Sequence, residues 1–160
     1  MELRHMTEND LEEVTYAFIK AYAESPWNEE WSFRKAYGRI NDLFNIANSV
    51  CVVCTEGNRI VGAVFSLIIP WTIGYQLEIR DFFVDSNHHN KGIGSFILDQ
   101  LSSYCDIKER LEVVLYTKRV PKLQHFYEKN GFSLNNDTIY YSKVISKEEN
   151  NNETVSCLGE

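Results

Sequence analysis

No stretch of this 160-residue chain runs for about 18 apolar residues without a charge, the minimum a helix needs to cross a bilayer. The opening Met1-Glu2-Leu3-Arg4-His5 also lacks the apolar segment of an export signal. Neither insertion nor export is expected, and the expected location is the cytoplasm. Basic residues are scarce: 16 Lys and Arg against 23 Asp and Glu leave a formal charge of −7. A nucleic-acid partner needs clustered cations along its phosphates, so none is expected. The acidic balance points instead to a cationic small molecule. That signal is diluted, because residues 147–160 hold one Lys and four Glu and leave −4 for residues 1–146. Cysteine is sparse too. Cys51 and Cys54 form a C-x-x-C pair, but no second ligand pair follows, and strand positions three apart face opposite ways. With Cys105 and Cys157 they read as free thiols, with no metal. No internal repeat is present.

What the chain does have is apolar material, 44% hydrophobic and 13% aromatic, enough for one domain's core without staples. Leu3 and His5 alternate into a short strand, and Thr7-Glu8-Asn9-Asp10 offers a helix N-cap. Leu11, Val14, Phe18 and Ala21 recur at helical spacing until Glu24-Ser25-Pro26, and a second helix is expected from Ser32. Strands follow at 50–55 and 59–69 across Glu56-Gly57-Asn58, then at 75–84. Gly92-Ile93-Gly94 opens a helix, Leu111 to Thr117 reads as a strand, and Pro121 starts a helix that Asn130-Gly131 ends. Phe132 onward and Thr138 to Ile145 suggest a closing pair of strands. The expected organisation is an α/β domain over 1–146 and a polar tail over 147–160. A mixed sheet with helices on both faces is the simplest packing.

The informative turn is His89-Asn90-Lys91-Gly92-Ile93-Gly94, between an apolar strand and an amphipathic helix. Its amides lie at a helix N-terminus with about half a positive charge, which makes an anion site. Glycine at 92 and 94 lets backbone approach a pyrophosphate, and Lys91 adds a flexible cation. Neither a Walker loop nor a dinucleotide fingerprint is present, which disfavours an NTPase or an oxidoreductase.

In this turn the sequence resembles the GNAT superfamily of N-acetyltransferases, whose signature is [Q/R]-x-x-G-x-[G/A]. Residues 89–94 fit at the two small positions, and His89 stands where Gln or Arg is usual. The element order and Phe126-Tyr127-Glu128-Lys129-Asn130-Gly131-Phe132 extend the likeness from Leu3 to about Ile145. Strand-four spacing is similar to that of aminoglycoside 6′-N-acetyltransferases. The resemblance implies the acyl-CoA N-acyltransferase fold: a mostly antiparallel sheet of six to seven strands, four helices, and strands 4 and 5 splayed apart. It implies acetyl-CoA as cosubstrate, held by Phe83 and Val84 and by the turn from His89 to Ser95. The partner it implies is a small-molecule or peptide amine, and a homodimer is compatible with it.

An amine arrives mostly as ammonium, with a pKa of about 10.4 for a lysine-like group, so its attack requires a base. The resemblance places Glu78, eleven positions before His89, in that role. Asp81 is the competitor, which a regular strand puts on the opposite face, although the resemblance implies a bulge in this strand and a bulge between the two would blur that assignment. Tyr127 matches the family tyrosine beside the thioester and is the expected proton donor to the leaving sulfur, although Val120 replaces the asparagine customary seven residues earlier. Trp27, Trp31 and Glu29 or Glu30 fall in the segment that lids the acceptor, with Trp71 and Tyr75 flanking the opposite loop; together they suit a cationic amine. His88 and His125 read as surface residues. A non-catalytic acyl-CoA-binding sensor is the competing function, and the presence of both Glu78 and Tyr127 weighs against it.

Overall fold

The computed structural model describes residues 1–145, so Cys157 and the tail lie outside the described residues. In chain order the elements are β1 (Glu2–His5), α1 (Leu11–Ala23), α2 (Phe33–Asn45), β2 (Ser49–Glu56), β3 (Arg59–Pro70), β4 (Tyr75–Val84), α3 (Ile93–Leu101), β5 (Leu111–Leu115) and α4 (Pro121–Lys129). The helix starts follow local chemistry. The Ser32 hydroxyl accepts from the Lys35 amide to cap α2, and Pro121, with no amide hydrogen to lose, occupies the first turn of α4.

The strands form one sheet in the order β1-β2-β3-β4-β5, with antiparallel pairing through β4 and a parallel β4–β5 pair. A parallel pair needs a long crossover, and α3 supplies it. The described residues hold five strands, not six to seven. Residues 132–145 form no strand, and Ile139, Tyr140, Tyr141, Val144 and Ile145 are 71–89% exposed. Alternation gives that segment strand-like composition, but a strand also needs a ladder and an apolar surface to cover. The segment has neither here, and β5 is only five residues long.

Each face of the sheet carries its own core. Cys51, Val53, Ala63, Phe65 and Phe83 pack with Val14 and Phe18 of α1 and Ala36 and Ile40 of α2. Val52, Cys54, Val64, Leu77 and Ile79 pack with Ile93, Ile97 and Leu101 of α3. Cys51 and Cys54 thus face opposite ways, as strand alternation requires. Burial of a side chain such as Ile40 or Phe18 contributes about 1.5–3 kcal/mol.

Strand β4 changes sides along its length. Leu77 and Ile79 belong to the α3 core and Phe83 to the α1/α2 core, although all three are odd-numbered. The register explains this: Phe65 pairs with Asp81 and Ser66 with Ile79, so Arg80 is an extra, bulged residue. Pairing with β5 also stops there, at Ile79 and Leu115, while β4 runs on to Val84. The two strands therefore splay, and the fork between them opens at the bulge.

The entry to α1 is pinned by charge. Asp10 accepts two hydrogen bonds from Arg4 at 2.8 Å, and its Oδ2 also accepts from the Thr7 amide. The Arg4 guanidinium holds the Asp10 carboxyl at about 2, well below its ordinary 3.8. A lowered native pKa contributes stability above the ordinary value that is lost as pH falls from about 4 to about 2. Because Arg4 is 38% exposed, about 1–2 kcal/mol is expected rather than the full linkage value. Asp10→Asn should melt lower than wild type at pH 7, and the two should converge near pH 2.

Candidate active site

A cavity of about 220 Å³ opens where the splayed end of β4 meets the helices. Phe82, Phe83 and Val84 of β4 floor it. The turn from His88 to Ser95, Lys91 excepted, makes one wall, Leu123, Phe126 and Tyr127 of α4 the other, and the end of α1 with residues 24–27 the roof. Lys122 and Lys129 add cations to its rim.

The phosphate-type turn owes its shape to a few backbone positions. Asn90 and Gly92 both take positive φ, 60° and 80°, and Gly92 is the N-cap of α3. The first helical bond runs from the Phe96 amide to the Gly92 carbonyl at 2.9 Å, which leaves the amides of Ile93, Gly94 and Ser95 without intrahelical partners on the cavity wall. The His89 Nε2–H donates to the Val84 carbonyl at 2.9 Å and ties the turn to the end of β4. A Cβ at Gly94 would sit 3.0 Å from Phe126 Cζ, so this glycine lets α3 approach α4. At Gly92 a Cβ meets nothing within 4 Å, and only the left-handed backbone constrains it. Gly92→Ala is accordingly expected to cost about 1–2 kcal/mol and Gly92→Asn less, as a lowered melting temperature of the free protein.

A second, smaller cavity of about 30 Å³ lies in the fork itself, lined by Ile79, Arg80, Leu115, Tyr116 and Thr117. Tyr22, Trp27, Phe82 and Tyr127 line both cavities, so Tyr127 stands in the wall that the two share. Burial pushes the Tyr127 hydroxyl up to about 12, against a hydrogen bond with Thr117, so it stays protonated at neutral pH. A protonated phenol between a groove walled by unpaired helix N-terminal amides and a second, smaller recess is suited to giving a proton to a group leaving into the groove.

The acetyltransferase (GNAT) domain model matches residues 47–134, more than half of the chain. The chain belongs to the GNAT acetyltransferase family. No curated protein sequence matches it. Among solved structures, this GNAT chain is similar to a protein described as a possible acetyltransferase from Clostridium difficile 630, at 19% identity and TM-score 0.77, covering 91% of this chain and 98% of that one. It is similar to a ribosomal-protein-alanine N-acetyltransferase from Brucella melitensis at 16% identity and TM-score 0.71, covering 90% and 100%. It is also similar to an aminoglycoside 6′-N-acetyltransferase from Acinetobacter haemolyticus at 13% and 0.67, covering 91% and 100%. At these identities the likeness is one of fold.

Within this GNAT domain the expected site residues divide. Trp27, Phe83, Val84, His89, Asn90, Gly92, Ile93, Gly94, Ser95 and Tyr127 line the larger cavity, whereas Lys91, Trp31, Glu30, Tyr75, Glu78 and Asp81 line neither. Tyr75 begins β4 five residues before the bulge, about 16 Å from the fork at the strand rise. The bulge places Glu78 and Asp81 on one face, not opposite ones. Asp81 is buried, its Oδ1 accepting from the Tyr22 hydroxyl at 3.2 Å and its Oδ2 from Arg39 Nε at 2.8 Å. Burial raises its carboxyl above the ordinary 3.8, with Arg39 pulling the other way. Glu78 Oε1 accepts from Arg80 Nη1 at 2.6 Å, and Oε2 has no partner among the described residues.

The Trp27 and Trp31 rings each meet one of the protein's own cations, whereas Trp71 is exposed. The Lys118 ammonium lies 5.2 Å from the Trp27 ring and donates to the Pro26 and Trp27 carbonyls at 3.0 and 2.9 Å. The Arg39 guanidinium lies 6.0 Å from the Trp31 ring, whose Nε1–H donates to Glu29. His88 is no surface residue: its side chain is 14% exposed, lines the larger cavity and meets Glu56 at 3.2 Å. His125 is exposed, as expected. Sequence reasoning missed Tyr22, Arg80, Phe82 and Phe126. Tyr22 was available as the residue four after Phe18 on the buried stripe of α1. Among the described residues no group of three or more His, Cys, Asp or Glu could hold a metal, and no helix is long and apolar enough to cross a membrane.

Proposed function

We propose that this GNAT domain transfers the acetyl group of acetyl-CoA to a primary amine by direct attack in a ternary complex. The carrying observation is Tyr127 in the shared wall of the two cavities. In this reading the pyrophosphate sits on the amides of residues 93–95, aided by Lys122 and Lys129. The pantetheine arm runs along β4 past the fork. There β5 no longer pairs, so alternate backbone groups of residues 82–84 have no strand partner on that edge. The thioester then lies at Tyr127 and the amine enters from the fork.

Glu78 is the better base of the two acids, since Asp81 has both oxygens committed to Tyr22 and Arg39. Lining neither cavity, Glu78 takes the ammonium proton through a water. The freed amine attacks the thioester carbon, and collapse of the tetrahedral intermediate expels the sulfur, which Tyr127 protonates, while the proton that the nitrogen loses on becoming an amide returns through solvent to the tyrosinate. The test is release of free thiol from acetyl-CoA across a panel of primary amines. No release with any of them, although acetyl-CoA raises the melting temperature, would replace transfer with the sensor reading. Glu78→Gln is expected to lower kcat/KM most where the amine is mostly protonated, and less as pH nears the amine's own pKa. A pH-independent loss would assign Glu78 to positioning.

A further inference from the structure

The acceptor side offers little to a polycation. The Trp27 and Trp31 rings each already carry a protein cation, Trp71 lines neither cavity, and the carboxylates of Glu29, Glu78 and Asp81 each hold a donor. Glu30 is exposed and lines neither cavity. Inside the fork the charge is of the other sign. Among the described residues Arg80 is the only charged side chain lining it, set among hydroxyl groups. The Arg80 side chain is 45% exposed, and its hydrogen bond among the described residues is the one from Nη1 to Glu78. A guanidinium has five donors in a planar fork, so one edge can hold Glu78 while another receives a second carboxylate.

We infer that the acceptor is a small amino-carboxylic acid, its carboxylate held by Arg80 and its amine presented to the thioester beside Tyr127. This rests on the acyl-transfer reading above and narrows its substrate. Arg80 and Tyr127 line the same cavity of about 30 Å³, so both ends of the molecule must lie on a short stem. The bulge is what makes this geometry available. Arg80 is the residue without a β3 partner, placed where β5 stops pairing.

The experiment is titration calorimetry of the full chain saturated with CoA, so that binding is read without turnover. The probes are glycine, β-alanine and γ-aminobutyrate, each beside its own carboxamide, with spermidine as the polycation. At least one acid is expected to bind about tenfold or more tighter than its carboxamide, the scale of one charge-assisted hydrogen bond. Arg80→Gln should bring the pair to near equality, and Arg80→Lys, which keeps the charge but not the planar fork, should retain part of the difference. A carboxamide or spermidine binding as well as every acid, no binding by any acid, or a preference that survives Arg80→Gln would each overturn the inference. Thiol release reports separately on the transfer reading. Release from amines without any preference for acids sinks only the acceptor assignment, and acid binding without release sinks only transfer. In turnover, a preference for the acid runs against intrinsic reactivity, because the less basic amine of the amide has more free base at a given pH.

Discussion

Tyr127→Phe is expected to lower kcat with acetyl-CoA by about 10²-fold, the usual loss for a positioned acid, while Kd for acetyl-CoA and the melting temperature stay near wild type. The substitution removes one oxygen and leaves the ring against Phe126 and Phe132. A packing tyrosine would show no such split between binding and rate. The hydroxyl is held at about 12 by burial, so wild-type activity should show no alkaline loss from this group below about pH 11. Instead the rate should climb as the amine loses its proton. A thiolate leaves more readily than an alkoxide, so an oxygen-ester analogue of the acyl donor should depend more strongly on the hydroxyl. Equal turnover of wild type and Tyr127→Phe with both donors, at saturating amine, would make Tyr127 structural and leave the sulfur to be protonated by solvent.

The largest stability effect is expected at Asp81. Removing its carboxylate leaves the Tyr22 hydroxyl and the Arg39 guanidinium without their acceptor, between two helices and the sheet. Breaking a buried pair from one side costs about 3–5 kcal/mol. Arg39 is 39% exposed and regains water, so Asp81→Ala should cost about 2–4 kcal/mol, a fall in melting temperature of roughly 5–15 °C. Asp81→Asn keeps an acceptor for Tyr22 and should cost less. The pH dependence runs opposite to that of Asp10. A carboxyl whose native value is raised contributes stability that is fully present below the ordinary 3.8 and is lost as pH rises through the raised value. Wild type should therefore gain on Asp81→Asn as the solution is acidified through that window. The same measurement tests the assignment of the base. If Asp81→Asn is as stable as wild type yet loses activity in a pH-dependent way, Asp81 rather than Glu78 takes the proton.

Residues that speak through local pattern were legible. The apolar stripe of α1, the serine at the head of α2 and the whole span of β4 follow from spacing and capping alone, and the glycine turn lines the larger cavity. What depends on contacts distant in sequence was not. Lys118 reaches the carbonyls of Pro26 and Trp27 from more than ninety residues away, and nothing local marks it as the cation that covers a tryptophan. The bulge was implied by the family resemblance and not by the local pattern. Residues 75–84 contain no glycine or proline, so alternation reads straight through Arg80 and assigns Glu78 and Asp81 to opposite faces. The expected closing strands erred in the same direction: Ile139, Tyr140 and Tyr141 have the composition of a strand, and only the missing partner and apolar cover show that none forms.

The bulge at Arg80 also separates two things that usually change together in a binding site, its place and its chemistry. The fork's position is a matter of counting, one residue more on β4 than on β3, and no particular side chain maintains it. Point substitutions at position 80, or at Tyr116 and Thr117 opposite, can exchange the chemistry presented to the acceptor while the gap stays in register with Tyr127. An insertion or deletion in the strand does the reverse. Losing the extra residue would restore regular alternation and leave Asp81 and Phe83 facing α1 and α2, but it would remove the bulge at which β4 parts from β5 and with it the opening of the fork. Divergence in acceptor preference on this scaffold should therefore accumulate as substitutions around a fixed strand length, and libraries meant to retarget it should vary residues 80, 116 and 117 while leaving the length of β4 untouched.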